Sequence, residues 1–205
     1  MKSDLNEFVC SLKHKDSVKA TTTRQFKMDL VEVMTESPFS GDILEIGTSD
    51  GYTTAALCAI GCRLSKRVYS FEYRADLVAK AIALCKGYGF DNFSIVRKDV
   101  YKEAWGESLE SDVGCVFIDC VHTAACFSQD LENAKSVCRQ DPIIIAHDYG
   151  LITKTGDGIK SFLDASADKY EIERYMGEKD NWNKLGSGQV VDWEGVKIRV
   201  RGIES

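Results

Sequence analysis

The chain has 205 residues, with 26 basic against 32 acidic side chains, a net charge of −6 and a hydrophobic fraction of 44%. These values belong to a folded globular protein and exclude wholesale disorder, and the acidic balance argues against a protein that tracks nucleic-acid phosphates. No apolar run reaches the roughly 18 residues a membrane span needs. The charged start Met1-Lys2-Ser3-Asp4 lacks the apolar core of a signal peptide, so a cytoplasmic protein with no membrane partner is expected.

Leu5, Phe8, Val9 and Leu12 recur at helical spacing, and Phe26, Leu30, Val33 and Met34 do so again before Pro38. Short apolar runs then alternate with helical patterns. Residues 43–46 read as a strand, and residues 53–60 as a small-residue helix closed by Gly61. Residues 68–71 form the next strand, followed by a helix over 75–86 that Gly87 stops. A third strand at 93–96 leads through a loop containing Trp105 to a fourth at 113–118. Phe127, Leu131, Ala134 and Cys138 mark a helix, and residues 143–146 a fifth strand. Near the end, residues 189–191 and 196–200 flank Asp192-Trp193-Glu194-Gly195, the pattern of a hairpin. This alternation predicts a doubly wound α/β fold whose mostly parallel sheet finishes on an antiparallel edge. With only two prolines and no linker, residues 1–205 read as one domain. None of the eight cysteines makes a C-x-x-C pair, which suits small hydrophobes in a reducing compartment.

In an open α/β sheet, ligands bind beyond the carboxyl ends of the strands, near the point where strand order reverses. The residues just after each strand therefore carry the functional reading. In Glu45-Ile46-Gly47-Thr48-Ser49-Asp50-Gly51 the two glycines permit a sharp turn and close backbone approach, and the next helix offers its N-terminal N–H groups. The spacing is G-x-x-x-G and not the G-x-G-x-x-G of dinucleotide binders, which counts against a nicotinamide oxidoreductase. Glu72, 21 residues past Gly51, is placed to accept hydrogen bonds from ribose hydroxyls. Asp99, after the third strand, can accept from an adenine amino group. Asp119 ends the fourth strand with His122 three residues on, and His147-Asp148 ends the fifth, so two of three histidines converge on one edge. Cys120 between them reads as packing, not as a nucleophile.

Leu44 to Gly51, with Glu72 and Asp99 at successive strand ends, resembles the S-adenosylmethionine site of class I methyltransferases, over about residues 22–163. The resemblance implies a Rossmann-like, seven-stranded sheet and S-adenosylmethionine as cofactor. Glu45, Gly47, Thr48, Ser49 and Gly51 would surround its methionine and ribose, Glu72 would hold the ribose, Asp99 the adenine, and Asp119 would stand beside them. The segment Thr21-Thr22-Thr23-Arg24-Gln25 would close over the methionine carboxylate, with residues 1–38 as a cap. The fourth and fifth strand ends resemble metal-dependent O-methyltransferases that act on sugars, including sugars on antibiotics. Carried over, Asp119 and Asp148 hold Mg²⁺ or Mn²⁺ and His122 is the general base. The sequence departs from that family at His147, where an acidic residue is usual. An imidazole there favours Mn²⁺ over the harder Mg²⁺ and makes His147 both a candidate ligand and a candidate catalytic group.

The chemistry fits these residue types. An aliphatic hydroxyl is a poor nucleophile; a divalent ion lowers its pKa, an imidazole removes the proton, and alignment supplies much of the remaining rate. The acceptor expected is a hydroxyl of a small molecule or glycan, a hexose or deoxyhexose such as rhamnose. Recognition would come from the N-terminal helices, the loop over 149–157, and the segment 176–188 with Lys179-Asp180-Asn181-Trp182-Asn183. Catechol, polyketide and amine acceptors stay open, as does a non-catalytic module that binds S-adenosylmethionine.

Overall fold

The computed structural model describes residues 2–12, 22–152, 157–180 and 189–201. Helices α1 (Lys2–Ser11) and α2 (Arg24–Glu36) come first, and the Thr23 hydroxyl caps α2 by accepting from the Phe26 N–H. Then β1 (Asp42–Ile46), α3 (Tyr52–Leu64), β2 (Val68–Glu72), α4 (Ala75–Gly87) and β3 (Phe93–Arg97) follow in strict alternation. A single 3-10 turn at Trp105–Ser108 precedes β4 (Val113–Ile118), α5 (Ala124–Val137) and β5 (Cys138–His147). The remainder comprises β6 (Leu151–Ile152), α6 (Ile159–Ala165), β7 (Tyr170–Lys179), β8 (Gln189–Val190) and β9 (Trp193–Val200).

Seven strands form one sheet in the order β3-β2-β1-β4-β5-β9-β7. The first five pair in parallel, while β9 runs antiparallel to both β5 and β7. This is the doubly wound sheet with an antiparallel edge that the sequence predicts. The order reverses between β1 and β4, so their carboxyl ends open the crevice in which such sheets bind ligands. Side-chain alternation splits the core in two. Ile43, Cys115, Phe117 and Ile145 face α1–α4, whereas Leu44, Ile46, Val116 and Ile144 face α5 and α6.

Three local expectations are corrected. Residues 189–200 do not form a hairpin with each other: β8 pairs with β6 in a separate ribbon, and β9 pairs with β5 and β7. Both edges of β9 are taken, with Ile198 opposite Ile144 of β5 on one side and Ile172 of β7 on the other, so no edge is left for β8. Helix α3 runs past Gly61 to Leu64 and ends at Ser65, whose φ of +57° provides the left-handed stop. Gly61 stays inside because a Cβ there would lie 2.9 Å from both Asn92 and the Lys66 carbonyl. Helix α6 and strand β7 lie where no element is predicted. All eight cysteines are free thiols, and no helix among the described residues is long and apolar enough to cross a membrane.

Candidate active site

The loop from β1 to α3 sets the floor of the site. Gly47 takes φ +96°, and a Cβ there would sit 2.0 Å from the Asp119 carbonyl, so only glycine lets the tips of β1 and β4 lie side by side. Around this loop are two cavities. One, of about 540 Å³, is lined by Glu72, Asp99, Tyr101 and Cys120 among others; the second, of about 400 Å³, by Thr22, Arg24 and Gly51. Both share Gly47, Ser49 and Asp119.

Glu72 accepts the Ser49 N–H at 2.9 Å and the Arg74 N–H at 2.8 Å, which fixes the carboxylate at the cavity wall with acceptor capacity to spare. Asp99 pairs with Lys102 at 3.1 Å and accepts the Tyr101 N–H, and the lysine contact holds its carboxyl below the usual range. Glu45 does not reach either cavity, contrary to its expected place beside a cofactor. It points from β1 toward α3, wholly buried, with its Oε2 accepting from Thr54 and Ser70, each at 2.5 Å. Burial pushes its pKa up to about 8, against the opposing effect of those hydroxyls. Thr48 borders the second cavity, but its hydroxyl turns inward to Ser70 at 2.5 Å. Both side chains brace the loop from within, and of the two only Glu45 is absent from the cavity walls.

At the tips of β4 and β5 a carboxylate oxygen of Asp119, a ring nitrogen of His122 and a carboxylate oxygen of Asp148 lie within 4.8 Å of one another, a grouping that could hold a metal ion. His122 Nε2 is 3.4 Å from Asp119 Oδ1 and 3.2 Å from Asp148 Oδ2. Asp148 takes φ +57°, a left-handed conformation that costs a non-glycine residue about 1–2 kcal/mol. Hydrogen bonds from the Tyr149 and Gly150 N–H groups to the Glu194 and Trp193 carbonyls hold the turn in place.

His147 is not one of that trio, where the sequence placed it among the ligands. It is fully buried behind the carboxylates, with Nδ1 3.3 Å from Asp119 Oδ1 and 3.2 Å from Asp148 Oδ1. Its Nε2 donates to Glu194 Oε1 at 3.2 Å, and Phe26 packs edge-on at 4.9 Å. Both ring nitrogens thus face carboxylate oxygens. Burial opposes the imidazolium, but Asp119, Asp148 and Glu194 outweigh it and raise the pKa well above the ordinary histidine value. His122 is likewise raised, since Asp119 and Asp148 outweigh its burial. Burial alone would raise Asp119, yet the two imidazoles hold it well below the usual carboxylate range. Cys120 lies between the Tyr101 hydroxyl and Asp130, and burial raises its thiol, in keeping with packing.

Glu194 escapes the sequence reading. The available signal was periodicity: it stands in phase with buried Val196, Ile198 and Val200 along β9, so the strand carries it inward. Trp182 and its neighbours Asn181 and Asn183, Thr21, and residues 153–156 lie outside the described residues.

A family described as methyltransferase domain matches residues 44–149, more than half of the chain. A curated protein-L-isoaspartate O-methyltransferase from Salinibacter ruber (strain DSM 13855 / M31) is 43% identical over 49 residues, 24% of this chain. The match spans only 20% of that relative's length. Among solved structures, an S-adenosylhomocysteine-bound methyltransferase from Podospora anserina superposes with a TM-score of 0.64 at 14% identity, covering 98% of this chain and 87% of that one. Cofactor-bound Rv0187 from MTB gives 0.63 at 17% identity, with coverage of 97% and 87%. An rRNA methylase from Streptococcus thermophilus gives 0.55 at 10% identity, with coverage of 90% and 99%. At these identities the likeness is one of fold. The family match, however, runs from the first strand to the turn that carries Asp148 and includes every strand tip around the two cavities, and the chain belongs to this methyltransferase-domain family.

Proposed function

We propose that the protein transfers a methyl group from S-adenosylmethionine to a hydroxyl of a small acceptor, a hexose or deoxyhexose, with a divalent ion and a histidine base. The observation that carries this reading is the meeting of two cavities at Gly47, Ser49 and Asp119, directly beside His122 and Asp148. Adenosine would occupy the larger cavity, its ribose on Glu72 and its adenine at Asp99. The methionine part would occupy the smaller one, under Thr22 and Arg24, which makes the N-terminal helices a cap.

The donor set fits a divalent ion. Asp119, Asp148 and Glu194 surround His147, and Asp119 and Asp148 turn further carboxylate oxygen toward the open side of the site beside His122. Two carboxylates are hard oxygen donors that suit Mg²⁺ or Mn²⁺. Such an ion supplies Lewis acidity that lowers the pKa of an acceptor hydroxyl. Asp119 and Asp148 would hold it and fix the acceptor. His122, partly exposed, accepts the hydroxyl proton at Nε2. His147, protonated on both nitrogens and sealed in, keeps the carboxylates in place and takes no proton. An exposed Tyr175 stacked on Trp193 at 5.9 Å stands near the turn after Asp148, and such aromatic faces suit a sugar ring.

A second reading has its own support: the same trio makes His122 a third ligand to the ion instead of the base. Calorimetry with S-adenosylhomocysteine and Mn²⁺, and turnover with a panel of acceptor sugars, separate these. Glu72→Ala removes a charge-assisted acceptor and should weaken S-adenosylhomocysteine binding by about 1.5–3 kcal/mol; unchanged affinity overturns the cofactor assignment. His122→Ala should keep Mn²⁺ affinity and lose about 10²–10⁴ in kcat. Loss of Mn²⁺ binding instead assigns His122 as a ligand.

A further inference from the structure

Glu194 is fully buried, and its contacts run to separate parts of the site. Its Oε1 accepts the Thr23 N–H at 2.7 Å and lies 3.2 Å from His147 Nε2. Its Oε2 accepts the Thr23 hydroxyl and, at 3.4 Å, the Glu178 N–H. The fold makes room for this carboxylate. Gly177 takes φ +79°, and a Cβ there would lie 2.3 Å from Glu194 Oε2.

The two ends of the contact chain matter. Thr23 caps α2 and sits between Thr22 and Arg24, both of which border the smaller cavity. His147 contacts Asp119 and Asp148 through its other nitrogen. A continuous path of charge-assisted hydrogen bonds, each within 3.4 Å, therefore runs from the edge of that cavity to Asp119, and an ion pair of 3.2 Å reaches Asp148. In a buried, low-dielectric setting such bonds are strong and directional, so a shift at one end is felt along the row.

We propose that Glu194 is a positioning residue that transmits filling of the smaller cavity to the catalytic edge. When the amino-acid part of the cofactor draws the segment 22–24 inward, Thr23 repositions Glu194, Glu194 sets His147, and His147 sets the carboxylates of Asp119 and Asp148. The proposal rests on the cofactor reading above and adds to it an order of events: the acceptor site is completed by the methionine end, not by the adenosine.

The chain has three histidines, His14, His122 and His147, so imidazole ¹⁵N–¹H spectra of the whole protein can be resolved and assigned. Spectra are recorded free, with adenosine, and with S-adenosylhomocysteine, for wild type, Thr23→Val, Thr23→Ser and Glu194→Gln, with binding followed by calorimetry. S-adenosylhomocysteine should move the His147 signals in the wild type, and adenosine should not. At ligand concentrations that saturate each variant, checked by calorimetry, the His147 response should be lost in Thr23→Val and Glu194→Gln, and Thr23→Ser, which keeps the hydroxyl, should restore it. A purely structural Glu194 would change melting temperature and leave the response intact, which overturns the proposal. Should Glu194→Gln fail to fold, the two Thr23 variants decide. No heat with S-adenosylhomocysteine overturns the cofactor reading and this proposal together; heat with an unmoved His147 overturns this proposal alone.

Discussion

Glu45 keeps its proton at neutral pH because it is sealed beneath the β1–α3 loop, and that gives stability a particular pH dependence. Unfolded, the carboxyl titrates near 4.5, and folded near 8, so the native state holds an extra proton between those values. Stability therefore falls as pH rises through that window, by at most about 1.4 kcal/mol per unit, and levels off above it. Glu45→Gln should flatten this slope in denaturant titrations from about pH 5 to about pH 8; the same slope in variant and wild type would contradict the assignment. His147 sits under the opposite constraint. Its ring lies between buried Glu194 and the half-buried Asp119 and Asp148, so His147→Ala leaves the Glu194 carboxylate without its buried partner and should cost about 3–5 kcal/mol in the same titrations. His122→Ala, at a partly exposed position, should cost much less. The sequence placed both histidines at strand ends and read His122 as the base, but it left His147 open between ligand and catalytic group. What distinguishes them is burial, set by Phe26 and Glu194, which come from distant parts of the chain.

Between elements, α2 is tied to β7 by one buried carboxylate. Asp29 accepts the Gly177 N–H at 2.7 Å, Arg174 at 3.0 Å and Gln25 at 3.0 Å. Asp29→Ala leaves that N–H without its acceptor and should destabilise the fold by about 1–3 kcal/mol, with α2 amides losing hydrogen-exchange protection first. Equal loss of protection in α2 and α5 would show that the tie is not local. The elements that could be read in advance share a plain physical trait. Strands β1, β2 and β4 are short runs of five or six residues, buried almost throughout, β5 carries the apolar run Ile143–Ala146, and α4 ends at a glycine. β7 lacks that trait: its register shifts between Ile172 and Arg174 and again between Met176 and Lys179, which breaks the two-residue rhythm. α6 is only seven residues long, too short for a helical period to stand out.

At the scale of the molecule, the site was legible because topology puts the tips of β1, β2, β3, β4 and β5 along one crevice, and each of those tips carries a polar residue. What could not be read was the layer behind it. Glu194 meets Thr23 across 171 positions of sequence and His147 across 47, and no local pattern encodes a contact of that kind. The sheet order has one more consequence. β9 lies between β5 and β7 although both precede it in the chain. While the protein is being made, β5 is thus an open strand edge and β7 has no place to dock until β9 emerges. The last third of the sheet and the carboxylate behind His147 must then arrive in one late step, so a ribosome-bound chain that already carries Asp119, His122 and Asp148 still lacks a finished site, and it is in that interval that the newborn protein is most exposed to aggregation.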